Sequence, residues 1–236
     1  MPKQSLQQQM YGVTGASRAQ RVTLAILIAC CVGVAWWLLF GGGIAAAGGR
    51  FGWEWTAGDA TRRAFLGAGL TIYFVRVLFT EFAFLQRGVS WAEVFTIAPW
   101  AFAIYVLLAL AGGMNPAALG ITGIDGAVLF VLGSWMNSYA EYQRHVWKQC
   151  PDHRGKLFTG GLFCRVRHPN YLGDLISFSG LCLIAGHWIT AIIPALMLCG
   201  FVFVNIPMLD AHLREHYGPA FDEYARKTRK LIPFVY

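Results

Sequence analysis

The chain has 236 residues, 56% of them hydrophobic and only 13% charged, with a formal net charge of +7 and a mean hydropathy of +0.49. Soluble domains keep about 25% of their residues charged, so this composition excludes a soluble enzyme, a disordered chain and a secreted disulfide scaffold. Aromatic residues reach 15% without the period-two polar alternation of an outer-membrane barrel, which leaves an all-α, polytopic transmembrane helix bundle.

Stretches 22–49, 94–124 and 175–209 contain no Asp, Glu, Lys or Arg, and about 20 apolar residues cross the hydrocarbon as a helix. In chain order the pattern predicts about six spans, near residues 22–46, 64–86, 93–113, 121–143, 170–186 and 188–209. The first run is too long for the core of a signal peptide. The last two spans share one uncharged stretch, which must turn at Gly186-His187-Trp188. Residues 1–21 read as a cytoplasmic N-terminal segment. Lys3, Arg18 and Arg21 precede the first span, Arg87 follows the second, and Arg144, Lys148, Arg154, Lys156, Arg165 and Arg167 follow the fourth. The opposite side carries Arg50, Arg62 and Arg63, and nothing basic lies between positions 112 and 120. The positive-inside rule therefore puts both termini in the cytoplasm and explains the positive charge without nucleic acid. Residues 210–230 interleave Arg214, Arg226, Lys227, Arg229 and Lys230 with Leu213, Tyr217, Phe221 and Tyr224, the pattern of an amphipathic cytoplasmic helix.

Polar residues inside apolar helices are costly and face a bundle interior or a wet cavity. Asn137, Glu141, Arg144 and Lys148 are spaced four, three and four apart, so they share one face of span four. Asn170, Asp174 and Ser177 repeat that spacing directly after Arg167-His168-Pro169, where Pro169 suits a first helical turn. Tyr73, Arg76 and Thr80 share a face of span two. Each stripe alone fits an interhelical hydrogen-bond network. Together, two of them flank a loop with six cations and one acid, Asp152, a combination suited to a phosphate-bearing ligand or to anionic lipid headgroups. His212 and His216 lie four apart with no third ligand to be placed, and the six cysteines form no C-x-x-C pair, so no metal site is expected.

Three segments carry a resemblance. They are Leu157-Phe158-Thr159-Gly160-Gly161-Leu162-Phe163, Arg167-His168-Pro169-Asn170-Tyr171-Leu172-Gly173-Asp174, and Tyr217-Gly218 through Glu223-Tyr224 to Arg229-Lys230-Leu231-Ile232-Pro233-Phe234. They resemble the membrane steroid 5-alpha-reductase and sterol-reductase superfamily from about residue 133 to the end. Weaker similarity covers Tyr73-Phe74-Val75-Arg76 and Gln86-Arg87-Gly88. The resemblance implies that residues 133–236 form a cofactor-binding half open to the cytosol and that residues 22–132 form a substrate-side half. It further implies NADPH-dependent reduction of a carbon–carbon double bond in a lipid or steroid-like substrate. Under it the cofactor-side residues are Asn137, Glu141, Arg144, Asn170, Asp174, Tyr217 and Tyr224, with Tyr73 as the substrate-side hydroxyl. The residues beside them add Lys148, Arg167, His168 and Tyr171 to the expected cofactor site and Arg76, one turn from Tyr73, to the expected catalytic pair. The Arg-His-Pro-x-Tyr core is also similar to isoprenylcysteine carboxyl methyltransferases, which bind S-adenosylmethionine. That alternative implies methyl transfer to a lipidated or small hydrophobic substrate.

Overall fold

Helix ends in this chain are set by glycine runs and by side-chain caps, as a computed structural model shows for residues 17–85 and 87–236. Most of the expected N-terminal segment, with Lys3, lies outside the described residues, as does Gln86 of the Gln-Arg-Gly segment. Helix α1 spans Arg18–Phe40 and buries Leu24, Ile28, Cys31, Ala35 and Leu38 along one stripe. It stops earlier than the expected residue 46 because Gly41-Gly42-Gly43 breaks it. Gly42 has a φ of 78°, open to glycine at no steric cost, and a short α2, Gly43–Arg50, follows.

Helix α3, Ala60–Phe79, starts where the Asp59 side chain accepts from the Arg62 backbone N–H at 2.7 Å. It runs on into a π-helical turn, Thr80–Phe84. Helix α4, Trp91–Gly113, opens with a Ser90/Glu93 capping box. Its Tyr105 hydroxyl donates to the Leu70 carbonyl of α3 at 3.0 Å. The longest element is α5, Gly120–Gln149, and α6 runs from Pro169 to Ala185. Gly186, at a φ of 64°, closes α6 at the expected turn. Beyond it a short 3-10 turn, Trp188–Ala191, leads through α7, Ile192–Gly200, a second π-helical turn, Phe201–Asn205, and α8, Ile206–Tyr217.

The expected single amphipathic helix over residues 210–230 is instead two pieces. Gly218, at a φ of 53°, and Pro219 end α8 and start α9, Pro219–Lys227. The chain then returns along the start of α6, with the Arg167 and His168 backbone N–H groups donating to the Arg229 and Lys230 carbonyls at 2.8 and 3.0 Å.

Among the described residues there is no strand, and four helical segments are long and apolar enough to cross a membrane: Arg18–Phe40, Ala60–Phe84, Trp91–Gly113 and Trp188–Tyr217. The protein is an integral membrane protein. Opposite the return segment, Arg62 is buried and ties three elements together. Its guanidinium donates to the Ile184 carbonyl near the end of α6 and to the Ala118 carbonyl at 3.0 Å.

Helices α5 and α6 touch backbone to backbone through glycine. A Cβ on Gly133 would lie 2.5 Å from the Gly173 carbonyl oxygen, and one on Gly180 would lie 2.4 Å from that of Gly126. Small residues drive such contacts inside membranes because apolar helices gain little from hiding among apolar lipid tails. Gly173→Ala, whose Cβ would meet the Asn137 nitrogen at 2.7 Å, should destabilise the detergent-solubilised protein by about 1–3 kcal/mol in thermal unfolding. Gly33→Ala, with nothing within 4 Å, should not. Equal midpoints for the two variants would refute this packing.

Candidate functional site at the junction of α3, α5 and α6

The glycine contacts press the two polar stripes together. Ser134 and Ser177 hydroxyls pair at 3.3 Å, and the Asn137 side-chain amide donates to the Asn170 carbonyl at 3.0 Å. The Asn170 amide donates to Glu141 at 3.1 Å, and Glu141 pairs in turn with Arg144. Asn137 and Glu141 are buried, Arg144 is about a third exposed, and Lys148, one further turn along α5, is exposed. The stripe thus runs from hydroxyls through amides and a carboxylate to open cations.

Asp174 turns the other way, to α3. Its carboxylate takes the Arg76 guanidinium at 2.6 Å, with side-chain exposures of 19% and 9%, so this is a buried ion pair. Arg76 also lies over the Tyr73 ring, 4.7 Å from its centroid, and Tyr73 sits edge-on to Phe178 of α6 at 4.8 Å. The fold therefore brings Tyr73, Arg76 and Asp174 together. Nε and Nη1 of Arg76 are buried without a partner of hydrogen-bond geometry, an arrangement that leaves two strong donors undersatisfied. Arg76 also lines a cleft of about 520 Å³ between α3 and α5, whose walls include Ile72, Val75 and Phe79 on one side and Trp135, Tyr139 and Tyr142 on the other.

A third group is assembled from the loop and the C-terminal segment. Arg167 is buried, with Nη2 2.7 Å from Asp210 and Nη1 donating to the Thr228 carbonyl at 2.7 Å. His168 Nε2 lies 3.0 Å from the other Asp210 oxygen. Arg167, one of the loop cations expected to hold phosphates, and His168, expected on the cofactor side, are turned inward and fasten α6 to α8 and to the return segment. Tyr171 stacks flat on Phe201 with ring centroids 4.5 Å apart. Tyr224 donates to the Phe163 carbonyl at 2.6 Å, and burial pushes its phenol well above its ordinary value. Tyr217 is half-buried at the end of α8, edge-on to His216.

Two residues with a positioning role escape the stripe pattern. Gln143 holds the loop by accepting from the Leu162 N–H at 3.1 Å. Asp210 accepts from two basic side chains, and its only signal in the sequence is that it is the first charge after the uncharged stretch 175–209.

A family described as protein of unknown function (DUF1295) matches residues 81–228. The chain belongs to this family, within the steroid 5-alpha-reductase family. Among curated relatives, a probable O-methyltransferase of Ustilaginoidea virens is 38% identical over 97 residues, covering 40% of this chain and 34% of the relative. The 3-oxo-5-alpha-steroid 4-dehydrogenase 2 of Sus scrofa is 29% identical over 111 residues, covering 47% and 42%. A protein-S-isoprenylcysteine O-methyltransferase of Schizosaccharomyces pombe is 30% identical over 88 residues, covering 37% and 36%. The matched region spans well under half the length of each of these relatives.

The inward-facing third group gives a direct test. Asp210→Ala leaves the buried Arg167 uncompensated and should cost about 3–5 kcal/mol in detergent unfolding. Asp222→Ala removes only the exposed pair with Arg214 and should leave the midpoint near wild type. A mild effect at Asp210 would show that Arg167 finds another partner and is not a fixed strut.

Proposed function

We propose that this protein is a membrane-embedded, NADPH-dependent reductase that saturates a carbon–carbon double bond conjugated to a carbonyl in a lipid or steroid-like substrate. The observation that carries this reading is the Arg76–Asp174 pair beside Tyr73. The charge of Arg76 is already balanced by Asp174, while its Nε and Nη1 still lack partners. Donors of that kind suit a neutral carbonyl oxygen that gains negative charge as the reaction proceeds. A carboxylate substrate, as carboxyl methyl transfer requires, would bring a second negative charge against Asp174 in a poorly solvated place.

The residues present fit a dinucleotide phosphate. Arg144 and Lys148 stand one turn apart at the open end of the stripe and would hold phosphates. Asn137, Glu141 and Asn170, already linked to one another, would orient amide and ribose groups. Tyr171, Tyr217 and Tyr224 would wall this side, with Arg167 and His168 bracing it from within. NADPH, when bound, supplies the reducing electrons. Tyr73 and Arg76 donate hydrogen bonds to the substrate carbonyl, and the Tyr73 hydroxyl delivers the proton that completes the reduction.

Thermal stabilisation by nucleotide separates the two cofactor readings. Saturating NADPH should stabilise the solubilised protein by about 2–3 kcal/mol at a hundredfold excess over Kd. Arg144→Ala should weaken NADPH about tenfold and NADH less. Tyr73→Phe should leave NADPH affinity unchanged and lower enone-dependent NADPH oxidation by about a hundredfold. Stabilisation by S-adenosylmethionine with none by nicotinamide nucleotides would replace the reductase with the methyltransferase.

The reading also extends to topology. With α5 and α6 crossing beside the four apolar segments, the chain makes six passes and keeps both termini in the cytoplasm, as the basic residues favour. A reporter active only in the cytoplasm should give signal at either end of the chain. Signal at one end alone would require an odd number of passes.

A further inference from the structure

Beyond α9 the return segment folds residues 232–235 into a tight turn. The Val235 and Tyr236 backbone N–H groups both donate to the Ile232 carbonyl at 3.1 Å, and the Leu231 and Ile232 N–H groups donate to the Tyr236 carbonyl at 2.7 and 2.9 Å. Leu231 is buried at the base. Lys230 lies over the Tyr236 ring, 4.5 Å from its centroid, and its ammonium donates to the Tyr236 hydroxyl at 3.1 Å. The two central residues of the turn are Pro233 and Phe234, and Phe234 has a φ of 67°. Proline followed by a positive φ is the pattern of a type II turn, whose third position favours glycine. Phe234 is the one non-glycine residue at positive φ among the described residues, and a bulky side chain is rarely found there. Backbone strain of this kind clusters where a side chain is needed for a task. Packing is not that task here, because Phe234 is 91% exposed and Val235 beside it 75%.

Level and charge say what meets this tip. The uncharged stretch 175–209 ends at Asp210, which therefore marks where the last apolar segment leaves the hydrocarbon. Arg167 pairs with Asp210 at 2.7 Å, and its backbone N–H donates to the Arg229 carbonyl at 2.8 Å, so the return segment is tied to that boundary. A parallel bridge between Val166 and Arg229 joins the loop to the return segment, and both Arg165 and Arg229 are exposed. Neither makes an ion pair among the described residues. Residues 224–236 contain no Asp or Glu, and the acids just before them, Asp222 and Glu223, are engaged by Arg214 and Lys227. Uncompensated cations beside a protruding apolar tip complement an anionic bilayer surface, where rings enter the boundary between headgroups and acyl chains and cations meet phosphates. We infer that the turn is an interfacial anchor, with Phe234 and Val235 inserted at the membrane surface and Arg165 and Arg229 on anionic lipid headgroups. The anchor is independent of the reaction at the site. It fixes the Arg167–Asp210 strut, and with it the return segment, against the bilayer.

Photolabelling of the full chain in lipid nanodiscs tests this. The probes are phosphatidylglycerol and phosphatidylcholine, each with a diazirine at the headgroup end of an acyl chain. Phosphatidylglycerol should label segment 231–236 several-fold more than phosphatidylcholine does, and high salt should shrink the difference. Arg165→Gln and Arg229→Gln should each weaken the apparent affinity for phosphatidylglycerol about fivefold. Labelling around Phe203, 77% exposed on the last apolar segment, should stay constant throughout. Phe234→Gly should abolish the label at 231–236 without lowering the thermal midpoint in detergent, because glycine relaxes the turn. Phe234→Trp should keep the label, since tryptophan also suits the interface. A lowered midpoint for Phe234→Gly would make Phe234 a packing residue and overturn the anchor. So would labelling of 231–236 by neither lipid, the result for a tip directed to the cytosol or to a protein partner, and so would labelling indifferent to lipid charge.

Discussion

The close approach of α5 and α6 is the constraint on which the site depends. Two glycine pairs, Gly126 with Gly180 and Gly133 with Gly173, let the backbones come within a distance that any Cβ would forbid. Such close contact gains packing energy from backbone and small side chains rather than from burying large apolar ones. The functional consequence is positional. At this separation a short side chain such as Asn137 reaches the opposing backbone, and Asn170 reaches Glu141. A wider gap would leave the same amides and carboxylate unpaired, at a cost of about 1–3 kcal/mol for each buried group.

The Arg76–Asp174 pair then couples this unit to α3, and its sign matters more than its strength. A buried ion pair is poor evidence of stability, since desolvation of both groups offsets the attraction. What it does is set the electrostatic character of the cleft. Alone, Arg76 would attract any anion. Balanced by Asp174, it keeps the directional donors of a guanidinium while presenting no net charge.

Much of this was legible from residue spacing. The stripes on α5 and α6, the turn at Gly186 and the early turn of α6 at Pro169 follow from helical periodicity and the backbone limits of glycine and proline, which are local properties. What spacing cannot convey is direction. Arg144, Arg165 and Arg167 are equivalent as letters, yet Arg167 is buried while Arg165 is exposed and Arg144 partly so. The difference comes from Asp210, more than forty residues away in the chain, and from carbonyls of the return segment. Likewise the amphipathic pattern over residues 210–230 continues through Gly218 as if nothing interrupted it, because a periodic pattern records which faces are apolar and not whether the backbone stays helical. Periodicity overstates the length of the first helix for the same reason: residues 41–46 are apolar, but the backbone turns at Gly41 and Gly42, and a separate short helix begins at Gly43.

Charge varies systematically along the polar route. At the open end of α5, Arg144 and Lys148 are accessible cations with one nearby carboxylate, Glu141, a net positive surface whose pull on anions weakens with salt. At the deep end, Arg76 and Asp174 cancel, and the cleft beyond them is apolar. A ligand that is polyanionic throughout cannot occupy the deep end, and a neutral lipid gains nothing at the open end. Two different molecules, or one with sharply divided chemistry, are needed to satisfy both. Under the proposed reading these are a water-soluble dinucleotide at the open end and a carbonyl lipid at the deep end, where Asn137, Asp174 and Tyr73 lie on adjoining helices.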